Sequence, residues 1–350
     1  MYSFACDYLE GCHEDVLKAL SRTNMVQAPG YGADPFTQKA TEKIRQLCRD
    51  DAATVHFVTG GTQANQLVID TVLQPYEGVV AALTGHVNVH EAGAIEFSGH
   101  KVLALPSARH DGKLAAADVD AFVKAFYADP NHEHMVFPGM VYVSHPTEYG
   151  TLYTAQELRE LSEVCHKHHM PLYLDGARLG YGLAAYDTDV TLPLLDELCD
   201  VFYIGGTKVG ALSGEAIVFP RGVEPKHFLT RIKQHGALSA KGRLIGVQFA
   251  ALLENDLYFR IGRHAIDMAR EIRKIFEEAG CSFFMDSPTN QQFVILENEA
   301  IQKLSDYVGF EFWEPYDENH AVVRFASSWA TTPEGIEELR KAVALCLPRK

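Results

Sequence analysis

Short apolar runs alternate with longer amphipathic stretches along most of this chain, and that alternation constrains its fold more than any other feature. Apolar runs fall at 55–58, 78–83, 101–105, 139–144, 172–175, 200–204 and 213–219. Between them lie stretches with apolar residues at helical spacing, among them 37–48, 66–73, 115–125 and 154–168. In the last of these, Leu158, Leu161 and Cys165 share one face and Glu157, Arg159 and Glu160 the other. Strands that alternate with helices predict an α/β fold: a mostly parallel sheet with helices on both faces. Past a long helical stretch at 258–279, strands near 281–285, 292–296, 310–313 and 321–326 and helices near 299–308 and 333–347 predict a small C-terminal α/β domain. The organisation expected is an N-terminal segment (1–30), a large domain (31–255) and a small one (256–350).

Two of the apolar runs end in reactive groups. The run 201–204 leads into Gly205-Gly206-Thr207-Lys208. A lysine in a glycine-lined turn beside a sheet can stay partly desolvated and form a Schiff base with a carbonyl compound. A solvated surface loop is the alternative for the lysine taken alone. Upstream, the run 172–175 ends in Asp175, followed by Gly176-Ala177-Arg178. Ligands of open α/β sheets bind at the carboxyl ends of strands. A carboxylate there, paired with a pyridine nitrogen, keeps pyridoxal phosphate protonated and an electron sink. Asp175 and Lys208 together therefore point to pyridoxal 5'-phosphate. A third stretch fits: strand 55–58, then Thr59-Gly60-Gly61-Thr62-Gln63-Ala64-Asn65, then a helix. Glycines let a backbone approach an anion, and free N–H groups at a helix start face it.

Leu174-Asp175-Gly176-Ala177-Arg178, the Thr207-Lys208 pair and Thr59 to Asn65 resemble the signature of the threonine aldolase family. That family belongs to the β-eliminating lyase group of fold-type I pyridoxal phosphate enzymes. The similarity runs from about Asp7 to Trp329. The resemblance implies a lyase that splits the Cα–Cβ bond of a β-hydroxy-α-amino acid into glycine and an aldehyde. It implies a homodimer or homotetramer with active sites shared between subunits. Gly60, Gly61, Thr62 and Thr207 would hold the cofactor, with Lys208 as its tether and Asp175 at the ring nitrogen. His86, at its distance from Glu91, matches the histidine that stacks on the ring. Arg178 and Arg324, the latter within Val322-Val323-Arg324-Phe325, match the arginines on the substrate carboxylate.

Other positions carry open alternatives. Arg178 also reads as half of a structural ion pair, and Arg324 as a snorkelling surface residue. Cys6 stands where the family usually has serine, and a thiol is a weak donor. Tyr31, in Gly30-Tyr31-Gly32, lines a site, this subunit's or a neighbour's, or is an ordinary turn tyrosine. Either Lys241 or Arg243 matches a cation that reaches a neighbouring site. Where many relatives carry a histidine beside the substrate, this chain has Glu148. A carboxylate needs burial to serve as a general base near neutral pH, so His86 and Glu148 are both candidates. His86, His90 and Glu91 have spacing that tempts a metal reading, but there is no HExxH pattern, and no metal is expected.

Composition excludes several classes. Forty-six acidic against 31 basic residues give a net charge of −15, which disfavours nucleic acid. No apolar stretch is long enough for a bilayer, and no signal peptide is evident, so no membrane partner is expected. Seven scattered cysteines without a CxxC pair suit a reducing cytoplasm. Two other functions compete: β-elimination from an amino acid, giving ammonia and a keto acid, and a non-catalytic binding protein on the same fold.

Overall fold

The structure is a computed structural model that describes residues 1–107 and 111–347. Residues 108–110, in the expected large domain, and 348–350, at the end of the expected small one, lie outside the described residues. The seven apolar runs form one sheet: β1 (Thr54–Val58), β2 (Glu77–Ala82), β3 (Val102–Leu105), β4 (Phe137–Ser144), β5 (Leu172–Asp175), β6 (Val201–Gly205) and β7 (Glu215–Phe219). Their spatial order is β1-β7-β6-β5-β4-β2-β3. Six run in one direction, and β7 lies antiparallel between β1 and β6. The Gly206–Gly214 loop explains the exception, since a parallel crossover needs about a dozen residues or more. As a result β7 begins at the edge where the other strands end. Strand register sets Ser144 beside Asp175 on that edge.

Apolar side chains fill both faces of the sheet, as its central strands require. One core packs Val143, Leu174 and Phe202 under helices Pro35–Cys48, Ala155–Lys167 and Arg243–Leu252. The other packs Val79, Tyr142 and Tyr203 under helices Gly61–Val72 and Phe228–Gln234. Local signals fix several helix starts. Thr154 and Glu157 form a capping box, and Asp34 caps the helix that opens with Pro35. One boundary differs clearly from expectation. The helix expected at 66–73 begins at Gly61, because the polar first turn, Thr62 to Asn65, has no apolar periodicity to reveal it.

The chain then enters the 22-residue helix Leu257–Glu278, whose buried Ile261, Ala265, Ile272 and Phe276 form one stripe. Beyond it, β8 (Ser282–Phe283), β9 (Gln291–Glu297), β10 (Glu311–Pro315) and β11 (His320–Ala326) make an antiparallel sheet in the order β10-β11-β9-β8. A third core lies between this sheet and the helices Leu257–Glu278 and Pro333–Cys346. The N-terminal residues are stitched here. Tyr2–Ser3 pairs in parallel with Val308–Gly309, and Phe4 is fully buried against Phe325. The segment then crosses to the large sheet at Asp7. Among the described residues no helix is long and apolar enough to cross a membrane, and all seven cysteines are unbridged.

Candidate active site

Two adjoining chambers open at the shared edge of the strands. The inner one, about 270 Å³, is lined by Gly60, Gly61, Thr62, Asp175, Thr207 and Glu215, among others. The outer one, about 670 Å³, is lined by His90, Tyr149, Trp313 and Arg324, among others. Tyr8, His86, Glu148, Arg178 and Lys208 line both.

Asp175 ends β5 and is nearly fully buried. Oδ1 accepts from Tyr203 Oη at 2.5 Å and the Ala177 N–H at 2.9 Å. Oδ2 accepts from Tyr142 Oη at 2.6 Å and Asn65 Nδ2 at 2.9 Å. Burial alone raises a carboxyl pKa. Here the His86 ring and the bonds from Tyr142, Tyr203 and Asn65 outweigh it, so Asp175 is held below its ordinary value. The network continues outward. Asn65 Nδ2 also donates to Glu91 Oε1 at 2.6 Å, and that oxygen lies 2.7 Å from His86 Nδ1. A carboxylate only accepts, so His86 donates from Nδ1 and its Nε2 is left facing away from Glu91.

Lys208 is half-buried, and among the described residues its Nζ makes no hydrogen bond. Burial and the Arg178 cation lower its pKa, against the pull of Asp7, Asp175 and Glu215. The Tyr8 ring lies 5.9 Å from Nζ. At Gly61 a Cβ would sit 2.9 Å from Tyr203 Oη, so the start of helix Gly61–Val72 has no room for a side chain on that side.

In the outer chamber Arg178 forks onto Asp7, Nε to Oδ2 at 2.8 Å and Nη2 to Oδ1 at 2.9 Å. Asn290 Nδ2 also donates to Asp7 Oδ2, at 2.9 Å. Asp7 is fully buried, and burial works to raise its pKa. The Arg178 and Lys208 charges and these bonds win, and the carboxyl is held at about 2. Arg324, on β11, donates to Gln291 Oε1 and to the Ala5 carbonyl, while its buried Nε has no partner among the described residues. Glu148 is buried. Its Oε1 accepts from the His86 N–H at 2.9 Å and from Ser144 Oγ at 2.6 Å. Burial raises its pKa despite the Ser144 bond.

A family model described as beta-eliminating lyase matches residues 5–299. The chain belongs to the beta-eliminating lyase family. A low specificity L-threonine aldolase of Pseudomonas aeruginosa is 31% identical over 98% of this chain and 97% of its own. A second low specificity L-threonine aldolase, from a Pseudomonas species, is 28% identical over 96% and 95%. Among solved structures, a threonine aldolase of Leishmania major superposes with a TM-score of 0.94 at 40% identity, over 99% of this chain and 100% of that one. An aspartate aminotransferase of Thermus thermophilus, 17% identical, has a TM-score of 0.68 over 98% and 90% of the two chains and shows the shared fold alone. The fold is fold-type I, and the protein is a lyase of this family.

Of the residues that sequence reasoning marked in this beta-eliminating lyase, ten meet at the two chambers: Gly60, Gly61, Thr62, His86, Glu148, Asp175, Arg178, Thr207, Lys208 and Arg324. Two do not. Cys6 is half-buried and lines neither chamber, while its neighbours Asp7 and Tyr8 reach the site. Tyr31 is half-exposed in a separate cleft, its ring 4.8 Å from Lys233 Nζ. Arg243 bonds the carbonyls of Asn24 and Val26, and neither it nor Lys241 lines a chamber. His90 packs 6.0 Å from Trp313, and no group of three His, Cys, Asp or Glu among the described residues is placed to hold a metal ion.

Sequence reasoning missed Tyr8, Tyr142, Tyr203 and Glu215. Tyr142 and Tyr203 left a signal, because a hydroxyl on a strand buried on both faces needs a partner, and both sit close to strand ends. Tyr8 left none.

Proposed function

We propose that this protein cleaves the Cα–Cβ bond of a β-hydroxy-α-amino acid of the L-threonine or L-allo-threonine kind, giving glycine and an aldehyde. The observation that carries this reading is an anionic carboxylate at a buried strand end, in the same chamber as a lysine of lowered pKa and a glycine-lined helix start. That donor set fits pyridoxal 5'-phosphate: an amine for its aldehyde, a carboxylate for its ring nitrogen, and N–H groups at Gly60, Gly61 and Thr62 for its phosphate. The names of the relatives reported above support the same reaction.

When bound, the cofactor supplies the sink for the electron pair left by the broken Cα–Cβ bond. This chain's residues do the rest. Lys208 would hold the cofactor through its amine. Asp175, held anionic by its donors, would hold the ring nitrogen and keep its proton there. His86, its orientation fixed by Glu91, would flank the ring. Arg324, with a free buried Nε, and Arg178 orient the substrate carboxylate. Glu148 takes the β-hydroxyl proton, the O–H pair becomes the second bond of the aldehyde carbonyl, and the Cα–Cβ bond breaks. A proton then returns to Cα and glycine leaves.

Threonine and allo-threonine should release aldehyde with equimolar glycine, and Lys208→Ala should abolish it. Borohydride reduction of the loaded protein should leave a pyridoxyl mark on the Lys208 peptide. Ammonia without aldehyde would point instead to β-elimination, in which the lowered pKa of Lys208 suits it as the base for the α-proton. We further propose a homodimer or homotetramer. Tyr31, Lys241 and Arg243 stand away from this chain's own chambers, where a second copy can use them, and sedimentation measures the assembly.

A further inference from the structure

The proposed chemistry leaves one buried acid of the inner chamber unassigned. Glu215 opens β7, and because β7 runs against its neighbours its carboxylate arrives where the other strands end. The residue is 3% exposed and lines the inner chamber beside Lys208 and Asp175. Oε2 accepts from the Gly206 N–H at 3.0 Å, and the nearby Thr207 side chain helps to hold the carboxyl's pKa down. Thr207 Oγ1 accepts in turn from the Gly214 N–H at 3.0 Å, and the Gly206 and Thr207 amides both bond the Gly214 carbonyl. The turn that carries Lys208 is thus laced to the start of β7.

The charges around the Lys208 amine come from each element packed on it: Asp175 from β5, Arg178 just after it, Asp7 from the N-terminal segment and Glu215 from β7. Arg178 and Asp7 answer each other in their fork, and Asp175 is saturated by four donors. Glu215 itself faces Lys208 and Asp175 and lies near the buried hydroxyls of Tyr203 and Tyr258.

We propose that Glu215 is a positioning residue for Lys208, one that fixes the turn carrying the amine and supplies a titrating negative charge behind it. The proposal rests on Lys208 being the reactive amine. Burial pushes the Glu215 carboxyl up to about 7, against the Thr207 side chain and the Lys208 charge. Glu215 therefore gains its charge as pH rises through neutrality, and that charge holds a proton on the Lys208 nitrogen. At lower pH the neutral acid favours a free nitrogen.

Glu215→Gln keeps the size and the acceptor for the Gly206 N–H but removes the charge. In the full chain loaded with pyridoxal phosphate, long-wavelength absorbance reports the proton on the Lys208 nitrogen. Its pH midpoint should fall by about one unit in Glu215→Gln, the size expected for losing one nearby opposite charge. An unchanged midpoint in the folded variant overturns the proposal. If Glu215→Gln does not fold, Thr207→Val takes its place. It removes a hydroxyl that stabilises the carboxylate, so the midpoint should fall by less, and no fall overturns the proposal. The underlying reading fails separately: wild-type protein that borohydride does not mark at Lys208 has lost its tether, whatever the midpoint does.

Discussion

The inner chamber draws its groups from neighbouring strand ends of one sheet, and the outer chamber draws its groups from across the chain. Asp175, Gly205 and Glu215 sit at the ends or start of β5, β6 and β7, and Gly60 follows β1 closely. Hydrogen-bonded register holds these strands, so a short motif on each fixes the site. The outer wall needs Tyr8 from the N-terminal segment, His90, Glu148, and Trp313 and Arg324 from the C-terminal sheet. Its geometry depends on how the two sheets are joined. The N-terminal segment spans them, paired to Val308–Gly309 at Tyr2–Ser3 and forked to Arg178 at Asp7. The comparison predicts that inner-chamber changes cost chemistry, while outer-chamber changes cost stability, substrate affinity or pH response.

The sharpest break of that division is Asp175→Ala. It deletes the carboxylate and removes the acceptor of four donors, Tyr142, Tyr203, Asn65 and the Ala177 N–H, in a buried site. Loss of a preorganised electrostatic partner should lower kcat by about 10²- to 10³-fold. Steady-state kinetics with threonine checks it, and a change confined to KM would place Asp175 outside the chemistry.

Asp7→Asn tests the outer wall. A buried pair that loses one charge costs about 3–5 kcal/mol, so denaturant unfolding should show a large loss along with a raised KM. The pH dependence has a definite sign. The Asp7 pKa is depressed in the folded protein to about 2 from its ordinary value of 3.8. Its stabilisation is therefore present above the unfolded value and is lost as pH falls through about 2. At about 1.4 kcal/mol per unit, that is roughly 2 kcal/mol. A wild-type acid limb that Asp7→Asn retains would assign the limb to other carboxylates.

Glu148→Gln sits on the boundary between the chambers. The Glu148 pKa is raised by burial, so its basic form appears only as pH rises above the ordinary carboxylate range. The wild-type rate should climb through that raised value. The variant should lose the limb, with kcat lower by about 10²-fold, as expected for a general base. A retained limb would pass the role to His86 Nε2.

The same division explains what the sequence disclosed. The parallel sheet followed from apolar runs alternating with helical ones, and the inner chamber from Thr59 to Asn65, Asp175 and Lys208, because strand-end chemistry is local. The outer wall was legible only in fragments. Arg324 announced itself as a cation within an apolar strand, but its neighbour Trp313 and the ring of Tyr8 carry no local signature. The Arg178–Asp7 fork spans 171 positions of sequence, and no periodicity links its ends. Glu215 went unmarked because one acidic residue at a strand start looks like an edge residue until β7 is known to lie between two strands. Tyr31 went the other way: a glycine-flanked tyrosine suggested a site, and the chain folds it into a separate cleft.

Cys6 is where the comparison predicts almost nothing. It occupies the position at which the family resemblance expects serine, next to the residue that forks onto Arg178, and adjacency alone would make it a substrate contact. The chain bends at Asp7, however, and here Asp7 and Tyr8 reach the site while Cys6 does not line it. Cys6→Ala should therefore leave kcat and KM for threonine within about 2-fold, because a lost hydrogen bond to substrate would cost about 1 kcal/mol or more and exceed that range. Cys6→Ser should behave the same. A several-fold rise in KM for alanine, rescued by serine, would mean that this segment turns when substrate arrives, and the outer wall would then be a moving part instead of a fixed one.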